Sequence, residues 1–249
     1  MKEAPQIAGS RETKRPKSVF KTLGTAIGAI MILLIFLFAA RIITFYRLIQ
    51  KGELLELPQF KSRLTSGAPP KVSPALSAKL QTDDDPALGA DNPVITIVEF
   101  ADFQCEHSRE AFPVVREMAA KYGSRVRFIF RDFPLEDIHP RARGAAIAAN
   151  CAGAQGKFWQ MHDKIFQHAD ALTDSDMAGY AEEIGLNLKE FNVCLLNDPA
   201  KAEIDADMAD GVALGVTGTP TFFINGQKIE GAIPRAVFDK LLNASLVKN

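Results

Sequence analysis

The stretch VITIVEFADFQCEHSREAF, residues 94–112, sets a thiol where a run of β-branched residues gives way to a helical pattern. A free thiol is mostly protonated at neutral pH and reacts poorly until it ionises. The unpaired N–H groups and macrodipole of a helix start favour an anion. Cys105 occupies that start, so its thiolate is expected to be favoured, with protonated His107 helping and Glu106 opposing on the sulfur. The alternatives for Cys105 are a small buried hydrophobe or a metal ligand with His107. No second pair with ligand spacing follows in the chain, so no metal and no other cofactor is expected. Ser108 stands three residues on and can donate a hydrogen bond to the thiolate. Asp102 reads as an exposed turn residue. Glu99 lies on a strand expected to be buried, where a carboxylate can serve as a proton acceptor.

The elements that must hold this thiol follow from periodicity. Residues 94–100 are β-branched and bounded by a turn, a strand signature. Residues 106–122 carry apolar positions at helical spacing and end at Gly123, with Pro113 inside as an expected kink. Residues 125–130, RVRFIF, read as a second strand, and the spacing suits a βαβ crossover. Helical patterns follow at 141–154, 156–168, from the capping residues Thr173 to Asp176 up to Gly185, at 188–196 and at 199–214. Strand signals return at 221–224 and 227–229 around Asn225-Gly226, a hairpin turn pair, and a helix is expected over 233–242. Trp159, with Phe158 and Met161, reads as helical core. His139, His162 and His168 read as scattered surface or supporting residues.

The segment FADFQC-E-H-S, followed far downstream by GVTGTPTFFING, resembles the DsbA-like thiol–disulfide oxidoreductases of the thioredoxin-fold superfamily. FRDFPL, HPRARGAAIAANCA and QGKFWQMHDKIF between them are similar to the same family, in the same order. The resemblance runs from about Asp84 to the C-terminus. It implies an α/β thioredoxin fold with a helical domain inserted at about 138–214. It places the nucleophile at Cys105, the tuning dipeptide at Glu106 and His107, and a cis-proline at Pro220. It also implies that Thr219, just before that proline, binds an extended substrate strand. The departure is Ser108, where the family pattern has a second cysteine. Serine forms no disulfide, so a mixed disulfide at Cys105 has no internal thiol to resolve it. An external thiol, a redox partner protein or the substrate's own thiol must do so. Some members of the family carry a second cysteine pair. Cys151 and Cys194 are then expected to form a structural disulfide, with two buried free thiols as the alternative. A loop of roughly 40 residues closed this way is worth at most about 4 kcal/mol.

The N-terminal part sets the address. Residues 22–40, TLGTAIGAIMILLIFLFAA, hold no charge. As a helix they span roughly 28 Å, near the ~30 Å hydrocarbon core. The expected anchor is 22–46, preceded by a basic tail at 1–21 and followed by a flexible linker at 47–88 and the thioredoxin domain at 89–249. Lys2, Arg11, Lys14, Arg15, Lys17 and Lys21 precede the span, and only Arg41, Arg47 and Lys51 follow it closely. That bias puts the N-terminus in the cytoplasm and the rest outside, a single-pass inner-membrane protein with a periplasmic domain. Disulfides persist there. Net charge is −1, which gives no reason to expect nucleic acid. The partners expected are cysteine-containing proteins. The runner-up is a peptide-binding chaperone or envelope-complex subunit that keeps the groove without turnover.

Overall fold

The computed structural model describes residues 17–50, 72–82, 84–197 and 200–247, without the side chains of 17–29, 45, 48–50, 74 and 75. It divides into two units, Met1–Arg47 and Leu48–Asn249. In the first, helix α1 runs from Lys17 and continues to Gln50. Residues 47–50, expected as linker, therefore belong to it. Its described apolar side chains from Ile30 to Phe38 are exposed. Among the described residues no helix is long and apolar enough to cross a membrane. The expected span at 22–46 falls partly on residues 22–29 and 45, outside the described side chains.

The second unit is built on a mixed five-stranded sheet. Strands β1 (Ala87–Gly89), β2 (Ile95–Ala101), β3 (Val126–Asp132), β4 (Thr221–Ile224) and β5 (Gln227–Glu230) lie in the order β1-β3-β2-β4-β5. β2 and β3 are parallel, and the other pairings are antiparallel. Only parallel strands need a crossover, and α3 (Glu106–Tyr122) supplies it. It runs unbroken over Pro113. β2 is central, so it is buried along nearly its whole length rather than on alternate residues. β3 reaches two residues past its expected end, because Phe100 pairs with Arg131 and Ala101 with Asp132. Asn225 and Gly226 both take positive φ, 48° and 80°, as a two-residue hairpin turn requires.

Alternate faces of β2 enter different cores. Ile95 and Ile97 pack against Ala111, Val115 and Met118 of α3 and against Phe238 and Leu242 of α9 (Arg235–Val247). Val98 and Phe100 pack with Phe133, Leu214 and Phe223 on the other face. A helical lobe lies between β3 and β4: α4 (Ala142–Gly153), α5 (Phe158–Gln167), α6 (Asp174–Glu183), α7 (Leu188–Asn197) and α8 (Ala200–Ala213). Its core is continuous with Ala101, Phe103 and Phe130 from the sheet end. Thr173 caps α6 in a reciprocal box with Asp176.

Residues 72–82 and 84–88, expected as linker, are folded onto this unit. Helix α2 (Pro74–Ser77) and β1 sit in that stretch. Val72, Leu76, Leu80 and Ala87 pack on the Phe100–Phe223 core, and Val72 N donates to Gly226 O at 3.3 Å. The boundary expected at residue 89 thus falls inside the sheet. Residues 51–71 lie outside the described residues.

Candidate active site

Cys105 and Thr219 are 114 positions apart, and the sheet brings them together. β2 ends at Ala101 and the chain turns once before α3 begins. β4 pairs Thr221 with Phe100, so the two residues before Thr221 lie beside that turn. Cys105 is the N-cap of α3, with extended backbone (φ −73°, ψ 125°) and no side-chain capping bond. Its Sγ is 3.3 Å from Thr219 O. The Thr219–Pro220 peptide bond is cis. The Thr219 hydroxyl is buried and has no hydrogen-bond partner among the described residues.

The thiol is largely covered, with Thr219 O against its sulfur. Cys105 is 6 % exposed. Among the described residues it is the one free cysteine. Ser108 is wholly buried, and its hydroxyl accepts from Asp102 N at 3.4 Å rather than donating to the sulfur. Glu106 and His107 face solvent. His107 lies 3.8 Å from Glu106 and 3.9 Å from Glu110, so its charged neighbours are glutamates of its own helix. Among the described contacts, none joins His107 to the Cys105 sulfur.

Asp102, read as an exposed turn residue, is 1 % exposed. Its Oδ1 accepts from Gln104 N at 2.7 Å, and its Oδ2 faces Leu135 N and His139 Nδ1, each at 2.8 Å. His162 is also buried rather than at the surface, ringed by Phe103, Phe112, Phe130, Phe158, Trp159 and Phe166. That burial lowers its pKa. Glu99 lies between Phe130 and Phe222 in the sheet, and burial pushes its carboxyl up to about 8. The D-x-x-C spacing, with an aspartate able to fold back on its own turn, was the signal for Asp102. Nothing local announced His139.

Cys151 and Cys194 are joined in a disulfide between α4 and α7, Cα atoms 5.8 Å apart. Trp159 donates from Nε1 to Ala87 O at 3.2 Å, tying the helical lobe to β1.

Asp84, Asp85 and Glu203 each bring a carboxylate oxygen within 4.8 Å of the others, a spacing open to a cation. Asp85 Oδ2 accepts from Thr82 N at 2.5 Å, while its buried Oδ1 lies 3.2 Å from Arg131 Nε as an ion pair and makes no hydrogen bond among the described residues. Burial, and then a hydrogen bond with Asp84, push Glu203 up to about 8. Hydrogen bonds with Thr82 and then Glu203 hold Asp84 below the usual carboxylate range.

Comparison with known proteins gives three results. The family model described as Thioredoxin matches residues 81–244. The curated relatives include Na(+)/H(+) antiporter NhaA 3 of Salinispora tropica, 38 % identical over 176 residues, and NhaA 1 of Mycolicibacterium vanbaalenii, 33 % identical over 178. The matches cover 69 % and 71 % of this chain but only 27 % and 29 % of those relatives. Among solved structures, alpha-DsbA2 of Wolbachia pipientis has a TM-score of 0.62 at 21 % identity, covering 74 % of this chain and 94 % of that one. A thioredoxin-like oxidoreductase of Silicibacter pomeroyi has 0.62 at 24 %, covering 68 % and 97 %. At those identities the likeness speaks for the fold. The sheet order, the βαβ crossover that presents Cys105 and the match over 81–244 agree, and the chain belongs to the thioredoxin family, with DsbA-like proteins as its structural neighbours.

Proposed function

We propose that this chain is a membrane-anchored, extracytoplasmic thiol–disulfide exchange protein working through one cysteine. The observation that carries the reading is Cys105 as the N-cap of α3, with its sulfur against Thr219 O. Cys105 thiolate attacks one sulfur of a client disulfide. A bond forms between Cys105 and the client, and the client's other sulfur leaves as a thiolate. A second thiol then attacks the client sulfur of that mixed disulfide, and Cys105 leaves as thiolate. If the second thiol belongs to the client, disulfides are rearranged with no net redox change. If it belongs to a small thiol or partner protein, the client is reduced and that partner oxidised. Ser108 supplies no electrons, so the chain alone does not complete a dithiol cycle. Thr219 and Pro220 offer the edge on which an extended client lies. The anchor rests on the uncharged run 22–40 and the basic tail. The antiporter name carried by the curated relatives accords with work at a membrane.

A second reading has one observation in its favour. The deep seat of Cys105, 6 % exposed, suits a chaperone or envelope-complex subunit that keeps the groove without turnover. Incubation of the folded protein with oxidised glutathione, read by intact mass, separates the two. One glutathione per chain is expected, none for Cys105→Ala, and insulin reduction driven by an added small thiol in the starting protein but not in Cys105→Ala. A folded chain that takes up no glutathione, while the unfolded chain does, would favour the binder.

A further inference from the structure

Asp102 makes five hydrogen bonds around the thiol. Its carbonyl accepts from Cys105 N at 3.1 Å and its N–H donates to the Ser108 hydroxyl at 3.4 Å. These tie down the turn and the first helical turn of α3. Its side chain then binds Gln104 N through Oδ1 and both Leu135 N and His139 Nδ1 through Oδ2. Two further bonds run beside that clasp. Phe133 N donates to Ala101 O at 2.8 Å, and Arg141 N donates to Gln104 Oε1 at 2.7 Å. The loop at 133–141 is thus laid along the cysteine turn, with a single buried carboxylate at the centre.

We propose that Asp102 and His139 are positioning residues for the exchange reaction. Their hydrogen bond clamps the loop that follows β3 onto the turn that presents Cys105. This rests on the exchange function proposed above. Backbone N–H groups face both carboxylate oxygens, so the oxygens are acceptors and His139 must donate from Nδ1. That bond selects the tautomer with its proton on Nδ1. The ring is only 21 % exposed, so little water competes for it. A thiol whose reaction needs a near-linear approach of three sulfurs loses rate when its turn loosens, even though neither residue touches the client.

The clamp makes a prediction about hydrogen bonding as distinct from charge. Asparagine places Nδ2 where histidine places Nδ1, and it carries no charge at any pH. The rate constant of Cys105 with oxidised glutathione should fall about tenfold in His139→Ala, the scale of one lost buried hydrogen bond. It should return to within about threefold of the starting protein in His139→Asn. Asp102→Asn should fall at least as far as His139→Ala, and Asp102→Asn with His139→Ala no further than Asp102→Asn alone. Thermal melts of each variant separate loss of fold from loss of rate. In parallel, nitrogen NMR of the His139 ring at pH 8 should find the proton on Nδ1 in the starting protein and not in Asp102→Asn. A proton on Nε2 in the starting protein overturns the clamp. So does an unchanged rate in His139→Ala, or a fall in His139→Asn as deep as in His139→Ala. If the starting protein is inert to glutathione while the Nδ1 proton is present, the exchange function fails and the hydrogen bond itself survives. The two failures are therefore distinguishable.

Discussion

Glu99 has only apolar strand neighbours, Phe130 and Phe222, and desolvation holds its carboxyl up to about 8 from an ordinary 4.5. Between those two pH values the folded protein keeps a proton that the unfolded chain has lost. Stability therefore falls as pH rises from about 4.5 to 8, and the whole penalty is present above 8. Glu99→Gln removes the titration and keeps the shape. The variant should match the starting protein near pH 4.5 and exceed it above pH 8 by roughly 2–4 kcal/mol, at ~1.4 kcal/mol for each tenfold change in proton affinity and with some relaxation. Urea unfolding of both proteins at pH 4.5 and 9 measures the difference. An equal gap at the two pH values would show that Glu99 is not the group responsible. Glu99 was legible as a buried acid because a lone carboxylate interrupts an apolar central strand. Asp102, three residues on, was not, because burial of a turn residue depends on a loop 33 positions away. Ser108 and His107 were legible as residue types at a helix start. Which way each side points was not, since that follows from the rotation of α3 against the sheet.

Among elements, the long helices and paired strands followed their periodicity, and the misses lie where tertiary contact replaces pattern. Residues 72–88 are rich in Pro, Ser and Asp and have no period, yet α2 and β1 form there. β1 is three residues held by its register against β3, Ala87 opposite Ile129. The stronger hold is Arg131, which is fully buried. It donates to Asp207 Oδ1 at 2.6 Å and to Lys79 O at 2.7 Å, reaches Asp210 at 3.3 Å, and pairs with Asp85. One side chain thus joins β3, Lys79, Asp85 and α8. Burial outweighs the ion pair at Asp207, whose carboxyl is pushed up to about 7 despite the guanidinium beside it. Asp85 is raised for the same reason. Arg131→Leu would leave both acids buried without their cation. The expected loss is about 3–5 kcal/mol, larger at pH 8 than at pH 5, because acids that take up protons no longer need the partner. Guanidinium unfolding midpoints at the two pH values check this. A loss that did not change with pH would assign Arg131 a packing role alone.

At the scale of the whole molecule, the three cysteines divide by partner and not by sequence distance. Cys151, 1 % exposed, is bonded to Cys194 within the helical lobe, while Cys105 stays a thiol at the sheet end. The bond persists where thiols are oxidised, and the proposed anchor, read from the charge bias around residues 22–40, would place the folded unit in such a compartment. Those two arguments are independent, one from redox chemistry and one from membrane insertion, and they converge on one labelling pattern. A membrane-impermeant maleimide added to intact spheroplasts should label one cysteine per chain, and Cys105→Ala should take up none. Reduction and unfolding before labelling should raise the count to three. Labelling that appears only after lysis would reverse the orientation and remove the extracytoplasmic assignment. Three labels on an unfolded chain that was never reduced would remove the disulfide. In that case the helical lobe would be held by its apolar core alone, and the cross-link's contribution of at most about 4 kcal/mol would be absent from its stability.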